Sequence, residues 1–302
     1  MFFSVRPYWY FLFSLMLALL LAGLTSLQNS VWWIACSVLI LLAGLPHGAY
    51  DLVIMRARHR GAKLVLAVLG YIALVLAALA LWHVQPFMLL TSFIVYSAFH
   101  FGDSDFAHAP WLNKFSWGAS ILGLPALCSK GTVTALFVTI AGTPDVGLLV
   151  NGMAAAGLVA ALIYVWRAKQ PGDAAAVLMI YALVCWIAGA LVAFTCYFVF
   201  YHSPLHLRHW RDQLGIEGSG IVYGLSGLVI AIITGALWLS TLEQPLAFEA
   251  LNQTALRYTF MAIAALTVPH MVLLMLVSRR NQAMNGAASL RATPRREITC
   301  CR

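Results

Sequence analysis

Long apolar runs, each close to the length that crosses a lipid bilayer, constrain this chain more than any other feature of its sequence. A transmembrane helix needs about 20 consecutive, mostly apolar residues. Such runs occur at roughly 8–25, 31–55, 63–82, 86–108, 113–128, 145–166, 174–210, 217–240 and 255–277. They are continuous, without the alternation of polar and apolar residues that marks a transmembrane strand. The sequence therefore predicts an all-α fold, a polytopic transmembrane helical bundle.

Charged residues are too few to cover a soluble domain of this size. They make up 9% of the 302 residues, against about 25% in soluble proteins. The net charge of +8 does not indicate nucleic-acid binding, because the basic residues gather at 56–63, 167–169 and 279–296. Clusters of this kind mark the cytoplasmic side of membrane proteins. We therefore predict a multi-pass protein of the lipid bilayer with no nucleic-acid partner.

The run 174–210 decides the predicted number of spans, because it is nearly twice as long as one span requires. As one helix, it gives nine spans and places the first basic loop and the basic tail on opposite sides of the membrane. Broken near 188-AGA-190, it gives about ten spans, and all the basic clusters face the cytoplasm, which the positive-inside rule favours. We assign 1–278 to a single integral-membrane domain and 279–302 to a polar, basic tail that we expect to be disordered.

Five of the nine histidines lie within apolar sequence: His47, His100, His202, His206 and His270. Ionisable groups inside a membrane are energetically costly, which makes them candidates for function. His202 and His206 are four residues apart, so on a helix their imidazoles would share one face and could bind one ion. With ten spans, all five histidines fall in the cytoplasmic halves of their helices. The sequence therefore predicts an intramembrane metal site at one depth.

Acidic residues follow two of these histidines closely. Asp51 lies four positions after His47 and Asp103 three positions after His100, so each could orient an imidazole from one turn away. A carboxylate at the membrane surface is the equal alternative for both, and Asp105 is expected at the interface. Several neutral imidazoles suit Fe, Cu, Zn or Ni, and the spacing of the residues does not choose among these metals.

A glycine also follows two of the histidines, at Gly48 and Gly102. Small residues commonly allow close packing between membrane helices. The alternative is that they leave room for a substrate beside the metal.

Other classes of membrane protein fit less well. A metal- or proton-coupled transporter also places histidines in the membrane, but such transporters usually show broken helices in paired halves. A haem carrier needs axial histidines on facing helices, which a pair four residues apart on one helix cannot supply. A membrane desaturase has HxxHH-like boxes, and this sequence contains none. A rhodopsin-like protein needs a lysine in a late helix, and 217–240 and 255–277 contain none.

Four stretches of the sequence resemble motifs of the Brp/Blh family, in the same order and over about residues 40–277. They are 44-GLPHGAYD-51, 99-FHFGDSD-105, 197-YFVFYHSPLH-206 and 267-TVPHMVLL-274. Members of this family are prokaryotic membrane proteins that cleave β-carotene at its central 15,15′ double bond to give two retinals. One departure is visible, since Leu52 follows Asp51 where the family often has another histidine.

The resemblance implies an iron-dependent oxygenase of a prokaryotic inner (cytoplasmic) membrane. Its substrates would be β-carotene and dioxygen, its cofactor Fe(2+), and an opsin made in the same cell a natural acceptor of the retinal. The implied metal ligands and catalytic residues are His47, His100, His202 and His206. Candidates for further site residues, or for residues that orient the ligands, are His270, Asp51 and Asp103. The alternatives are another membrane non-haem iron lipid oxygenase and a metal- or proton-coupled transporter.

Overall fold

A computed structural model describes residues 5–25, 30–106, 109–214, 220, 224, 226–228 and 248–292. Throughout these residues the regular secondary structure is helical and no strand occurs. The predicted all-α class is therefore confirmed.

The helices are numbered here in chain order. They are α1 (Val5–Leu24), α2 (Ser30–Arg58), α3 (Ala62–Val84), α4 (Pro86–Asp105), α5 (Trp111–Cys128), α6 (Lys130–Ala141), α7 (Gly147–Arg167), α8 (Pro171–Ile187), α9 (Ala190–Tyr197), α10 (Ser203–Leu214) and α11 (Phe248–Ala292). A π-helical segment, Phe198–His202, joins α9 to α10.

Five helices of the described residues are long enough and apolar enough to cross a membrane. They are Val31–Arg58, Ala62–Val84, Gly147–Arg167, Ala190–Gln213 and Gln253–Val277. The pair α5 and α6, bent by 106° at its break, gives a sixth if it forms one span. Two shorter apolar helices, Tyr8–Leu24 and Pro171–Ile187, accompany them. The described structure is thus a helical bundle with five or six candidate spans, and the predicted total of about ten stays a prediction.

The long apolar run 174–210 is broken at the predicted place. Helix α8 ends at Ile187 and α9 begins at Ala190. Gly189 between them has a φ of 97°, a conformation that glycine adopts readily and other residues rarely do. From Ala190 the chain continues through the π segment into α10 as one candidate span. The predicted break of this run is therefore confirmed, and its count as two spans stays a prediction.

Glycines allow the backbones of α4, α5 and α7 to approach one another closely. Gly102 and Gly118 lie between α4 and α5, and Gly123 of α5 faces Gly157 of α7. A Cβ atom at any of these positions would overlap backbone atoms of the neighbouring helix. Apolar burial drives helices together only weakly in lipid, so close van der Waals contact through small residues is a main source of stability. Gly102 therefore has the packing role that was one of its two predicted options.

Two predicted segments fall wholly or partly outside the described residues. These are most of the run 217–240 and the last part of the tail, 293–302. The backbone of residues 279–292 continues α11 as a helix. The predicted division into a membrane domain and a separate tail therefore stays a prediction.

Replacing Gly123 with alanine should destabilise the bundle, because the new methyl group would collide with the backbone at Gly157 and force α5 and α7 apart. We expect a loss of about 1–3 kcal/mol, as for other overpacked cores. The matched control is Gly152→Ala on α7, where no described atom lies within 4 Å of the added Cβ. The midpoint of thermal unfolding in detergent measures both variants, and equal midpoints would contradict the packing argument.

Candidate metal centre

Four histidine rings converge where α4, the π segment, α10 and α11 meet. His100 lies on α4, His202 ends the π segment, His206 lies on α10 and His270 on α11. All four side chains are buried. The centroid of the His100 ring is 5.1 Å from that of His202, 5.9 Å from that of His206 and 5.4 Å from that of His270. Residues separated by up to 170 positions in the sequence thus form one cluster, called here the histidine cluster.

Three members of the histidine cluster can offer nitrogens to a single ion. One ring nitrogen from each of His100, His206 and His270 lies within 4.8 Å of the others. The His202 ring lies directly beside this trio, with its centroid 6.2 Å from that of His206. The backbone of His47 lies on α2, and its side chain is outside the described residues. The structure thus brings together three of the four predicted ligands and the additional candidate His270.

The π-helical segment determines how His202 and His206 face the cluster. In a regular α-helix two residues four apart lie one above the other, but the π segment widens the turn that ends at His202. Wide turns of this kind occur frequently at functional sites. The next residue, Ser203, donates a hydrogen bond of 2.8 Å to the backbone carbonyl of Ala43. This bond fixes the start of α10 against α2, close to the histidines.

Asp105 is a buried partner of His202. Its Oδ1 lies 2.8 Å from Nδ1 of His202, and both side chains have an exposed fraction of 0%. The other carboxylate oxygen accepts hydrogen bonds from Trp117 Nε1 at 2.8 Å and from the Tyr197 hydroxyl at 2.6 Å. The Asp105 side chain thus contacts the histidine cluster, and its depth relative to the membrane surface stays a prediction. Three donors compensate the carboxylate for the water that it loses on burial.

Asp51 holds His270 in a similar way. Its Oδ1 lies 2.7 Å from Nδ1 of His270, and its Oδ2 accepts a hydrogen bond of 2.9 Å from the Tyr71 hydroxyl. The sequence suggested that Asp51 orients a histidine one turn away on its own helix. In the structure, Asp51 instead contacts an imidazole on α11, and Tyr71 contributes from α3.

Of the remaining polar neighbours, Ser104 contacts the histidine cluster, whereas Asp103 lies at the surface. Ser104 Oγ lies 2.9 Å from Nδ1 of His206, so a hydroxyl on α4 contacts a ring on α10. Asp103, one position earlier, has 72% of its side chain exposed and forms an ion pair of 2.6 Å with Lys114. The structure therefore does not bring Asp103 to the histidine cluster.

The donor set fits a transition metal ion. His202, His206 and His270 each have an oxygen atom within hydrogen-bonding distance of Nδ1, which leaves Nε2 as the atom to bind a metal. These three Nε2 atoms are shielded from solvent. A buried group of imidazole nitrogens suits iron, copper, zinc or nickel. Buried oxygen partners are typical of histidines that bind metals, because they fix both the tautomer and the orientation of the ring.

Replacing Asp51 with asparagine should weaken metal binding, because the His270 ring loses the carboxylate that orients it. Changes to such partners typically lower metal affinity about 10- to 100-fold. The matched control is Asp103→Asn, which removes the same charge from the exposed carboxylate on α4. Metal content after dialysis against a graded chelator, measured by mass spectrometry, compares the two variants. If Asp103→Asn lowers the metal content as much as Asp51→Asn does, the assigned role of Asp51 is wrong.

Comparison with known proteins agrees with the motifs. The family model described as Beta-carotene 15,15′-dioxygenase matches residues 38–277. A beta-carotene 15,15′-dioxygenase from the uncultured marine bacterium 66A03 is 30% identical over 270 residues, which covers 82% of this chain and 94% of that protein. No solved structure matches the chain significantly. The resemblance drawn from the motifs is thus confirmed, and the chain belongs to the Brp/Blh family of beta-carotene 15,15′-dioxygenases.

Proposed function

We propose that this chain cleaves β-carotene at its central 15,15′ double bond with dioxygen and releases two molecules of retinal. Each of the two carbons of the broken bond receives one oxygen atom, so the two aldehydes account for all atoms of both substrates. One observation carries the proposal: a buried cluster of histidines lies beside an apolar cavity. The name of the relative supports the same substrate and the same bond.

The cavity suits a hydrocarbon substrate. It is partly open, and its lining is predominantly apolar, as is common for small-molecule sites. His100 and His270 contribute to its wall, and most of the other side chains around it are apolar or aromatic. Phe101, Phe194 and Phe198 supply flat faces that can pack against a conjugated chain. These walls would also exclude water from the reacting carbons.

We propose Fe(2+) as the cofactor. His100, His206 and His270 would hold it as the closest group of nitrogens, and His202 lies next to them. The ligand set implied by the motifs has His47 in place of His270, so the two sets share three residues. Bound iron supplies the redox chemistry that activates dioxygen, which no amino-acid side chain provides.

The chain's own polar residues would position the metal ligands. Asp51 and Asp105 each accept a hydrogen bond from an imidazole Nδ1, which directs Nε2 of His270 and His202 toward the cluster. Tyr71 fixes the second oxygen of Asp51. Because these groups are buried and joined to several helices, the imidazoles are oriented before the substrate arrives, which favours catalysis.

The membrane would deliver the substrate. β-Carotene is a rigid hydrocarbon of about 30 Å, comparable to the hydrocarbon core of a bilayer, so it can enter from the lipid. We propose that the chain crosses the inner membrane of a prokaryote about ten times, with residues 1–278 as one membrane domain. Most helices of the described residues overlap the predicted runs, which supports this arrangement. An opsin made in the same cell would be a natural acceptor of retinal.

Cells that make β-carotene provide the test. We expect the wild-type chain to convert the pigment into retinal, and His206→Ala to abolish the conversion because a member of the trio in the histidine cluster is lost. The matched control is His209→Ala, since His209 is exposed on the same helix. Extraction and chromatography quantify retinal and the remaining β-carotene, and immunoblots of the membranes confirm equal amounts of protein.

The outcomes separate the proposal from its alternatives. Unchanged β-carotene, despite an inserted wild-type protein that contains iron, would reject this substrate and favour oxygenation of another lipid. An inserted protein without metal would favour a transport role. Equal loss of activity in His206→Ala and His209→Ala would contradict the assigned site.

A further inference from the structure

Two helices each present to the cavity a row of side chains that ends at a histidine. The rows are Phe93, Ser97 and His100 on α4, and Phe260, Ile263, Thr267 and His270 on α11. Successive members are three or four residues apart, so each row lies along one face of its helix. On α11 the histidine is the last lining residue in the direction of the chain, and on α4 only the adjacent Phe101 follows it. The cavity therefore extends from the histidine cluster toward the N-terminal halves of α4 and α11.

Two further elements follow the same pattern. Phe194 and Phe198 line the cavity, and continuing the row by four residues reaches His202 of the histidine cluster. On α2 the lining residues Ile40, Gly44 and Gly48 are spaced by four, and the row approaches the cluster at Gly48. In all four rows the residue numbers rise toward the histidine cluster. The cluster therefore lies at one end of the cavity, and Ile40 is among the residues at the other end.

The length of the cavity matches one half of the substrate. Ile40 and Gly48 are eight positions apart on α2, which corresponds to about 12 Å along a helix. Phe260 and His270 are ten positions apart on α11, which corresponds to about 15 Å. A carotenoid as long as the bilayer core, about 30 Å, has its central bond about 15 Å from either end. The length of the cavity is therefore close to that of one symmetric half of the molecule.

Glycine provides the room beside the metal centre. Gly48 lines the cavity, and no atom of the described residues lies within 4 Å of where its Cβ would stand. At Gly44 the added atom would meet the Phe198 ring at 3.4 Å. The sequence allowed two roles for these glycines, close helix packing and room for a substrate. Gly102 has the first role, because it packs against α5, and Gly48 has the second, because it leaves space in the cavity.

We propose that this cavity holds one half of the carotenoid and that its length determines which double bond is cleaved. The inference rests on the proposed function and deepens it. The terminal ring would lie near Ile40 and Phe260, the polyene would run past Gly48, and the central bond would lie beside the histidine cluster. Ile40 and Phe260 are then residues that determine the position of cleavage, although they are distant from the metal.

Ile40→Phe tests the proposal by shortening the cavity. A half that enters less deeply presents a bond closer to its own ring, and dioxygen then gives two unequal aldehydes, one shorter and one longer than retinal. We expect the ratio of unequal to equal products to rise roughly tenfold or more, a discrimination typical of small changes in apolar pockets. The control is Leu39→Phe, because the adjacent Leu39 is exposed on the lipid-facing side of α2. Chromatography with mass spectrometry identifies the aldehydes.

Binding of retinol, a fluorescent polyene of half the length of β-carotene, tests the cavity without turnover. In metal-depleted protein in nanodiscs, we expect Gly48→Leu and Ile40→Phe each to weaken retinol binding roughly tenfold, because the added side chains occupy the cavity. Gly70→Leu is the control for the first variant, since Gly70 is exposed on α3 and no described atom lies near its Cβ position. Thermal unfolding midpoints check that each variant is folded.

The two measurements separate this inference from the proposed function. Suppose that the wild-type chain makes retinal and that Ile40→Phe gives the same ratio of unequal to equal aldehydes as the wild type. The role of cavity length is then refuted, while the proposed function stands. If the wild-type chain makes no retinal, the proposed function fails, and retinol binding decides whether the cavity takes a half-length polyene. Unchanged retinol affinity in both Gly48→Leu and Ile40→Phe overturns the inference in either case, and if one variant is unfolded the other decides.

Discussion

Pairing of buried imidazoles with buried oxygen atoms is the interaction on which the rest of the structure depends. An ionisable or strongly polar group inside a membrane destabilises the fold unless it has a partner. Asp51 and His270 are separated by 219 positions, and Asp105 and His202 by 97. Each pair therefore orients a ring and, through the same bond, holds distant parts of the chain together. The requirements of the site and those of the fold coincide in these two contacts.

Helix α4 connects the site to the packing of the bundle. It carries His100, Ser104 and Asp105, all of which contribute to the histidine cluster or its partners. The same turn contains Gly102, whose backbone lies directly against α5. Close contact between helix backbones is a main source of affinity between helices in lipid. A displacement of α5 would therefore move three functional groups together, so the geometry of the cluster depends on contacts that involve no histidine.

The sequence alone predicted the helical class, the break at Gly189 and several of the clustered histidines, because each depends on local pattern or on the unusual polarity of an imidazole in an apolar run. The partners of the histidines could not be found in this way. Spacing along one helix pointed from Asp51 to His47 and favoured Asp103 over Asp105. The observed pairs join different helices, and no periodicity within a segment encodes such a contact. The π segment that ends at His202 likewise has no local signal in the sequence.

Tyr71 extends the site to α3, a helix that is largely exposed among the described residues. Only 6% of the apolar stretch of α3 is buried among the described residues. Its tyrosine nevertheless donates the hydrogen bond that fixes one oxygen of Asp51, which in turn orients His270. Helices in thinner or thicker bilayers adjust their tilt to match the hydrocarbon thickness. A tilt of α3 would displace the Tyr71 hydroxyl and, through Asp51, change the orientation of the His270 ring. We therefore expect the acyl-chain length and order of the surrounding lipid to affect the orientation of the His270 ring.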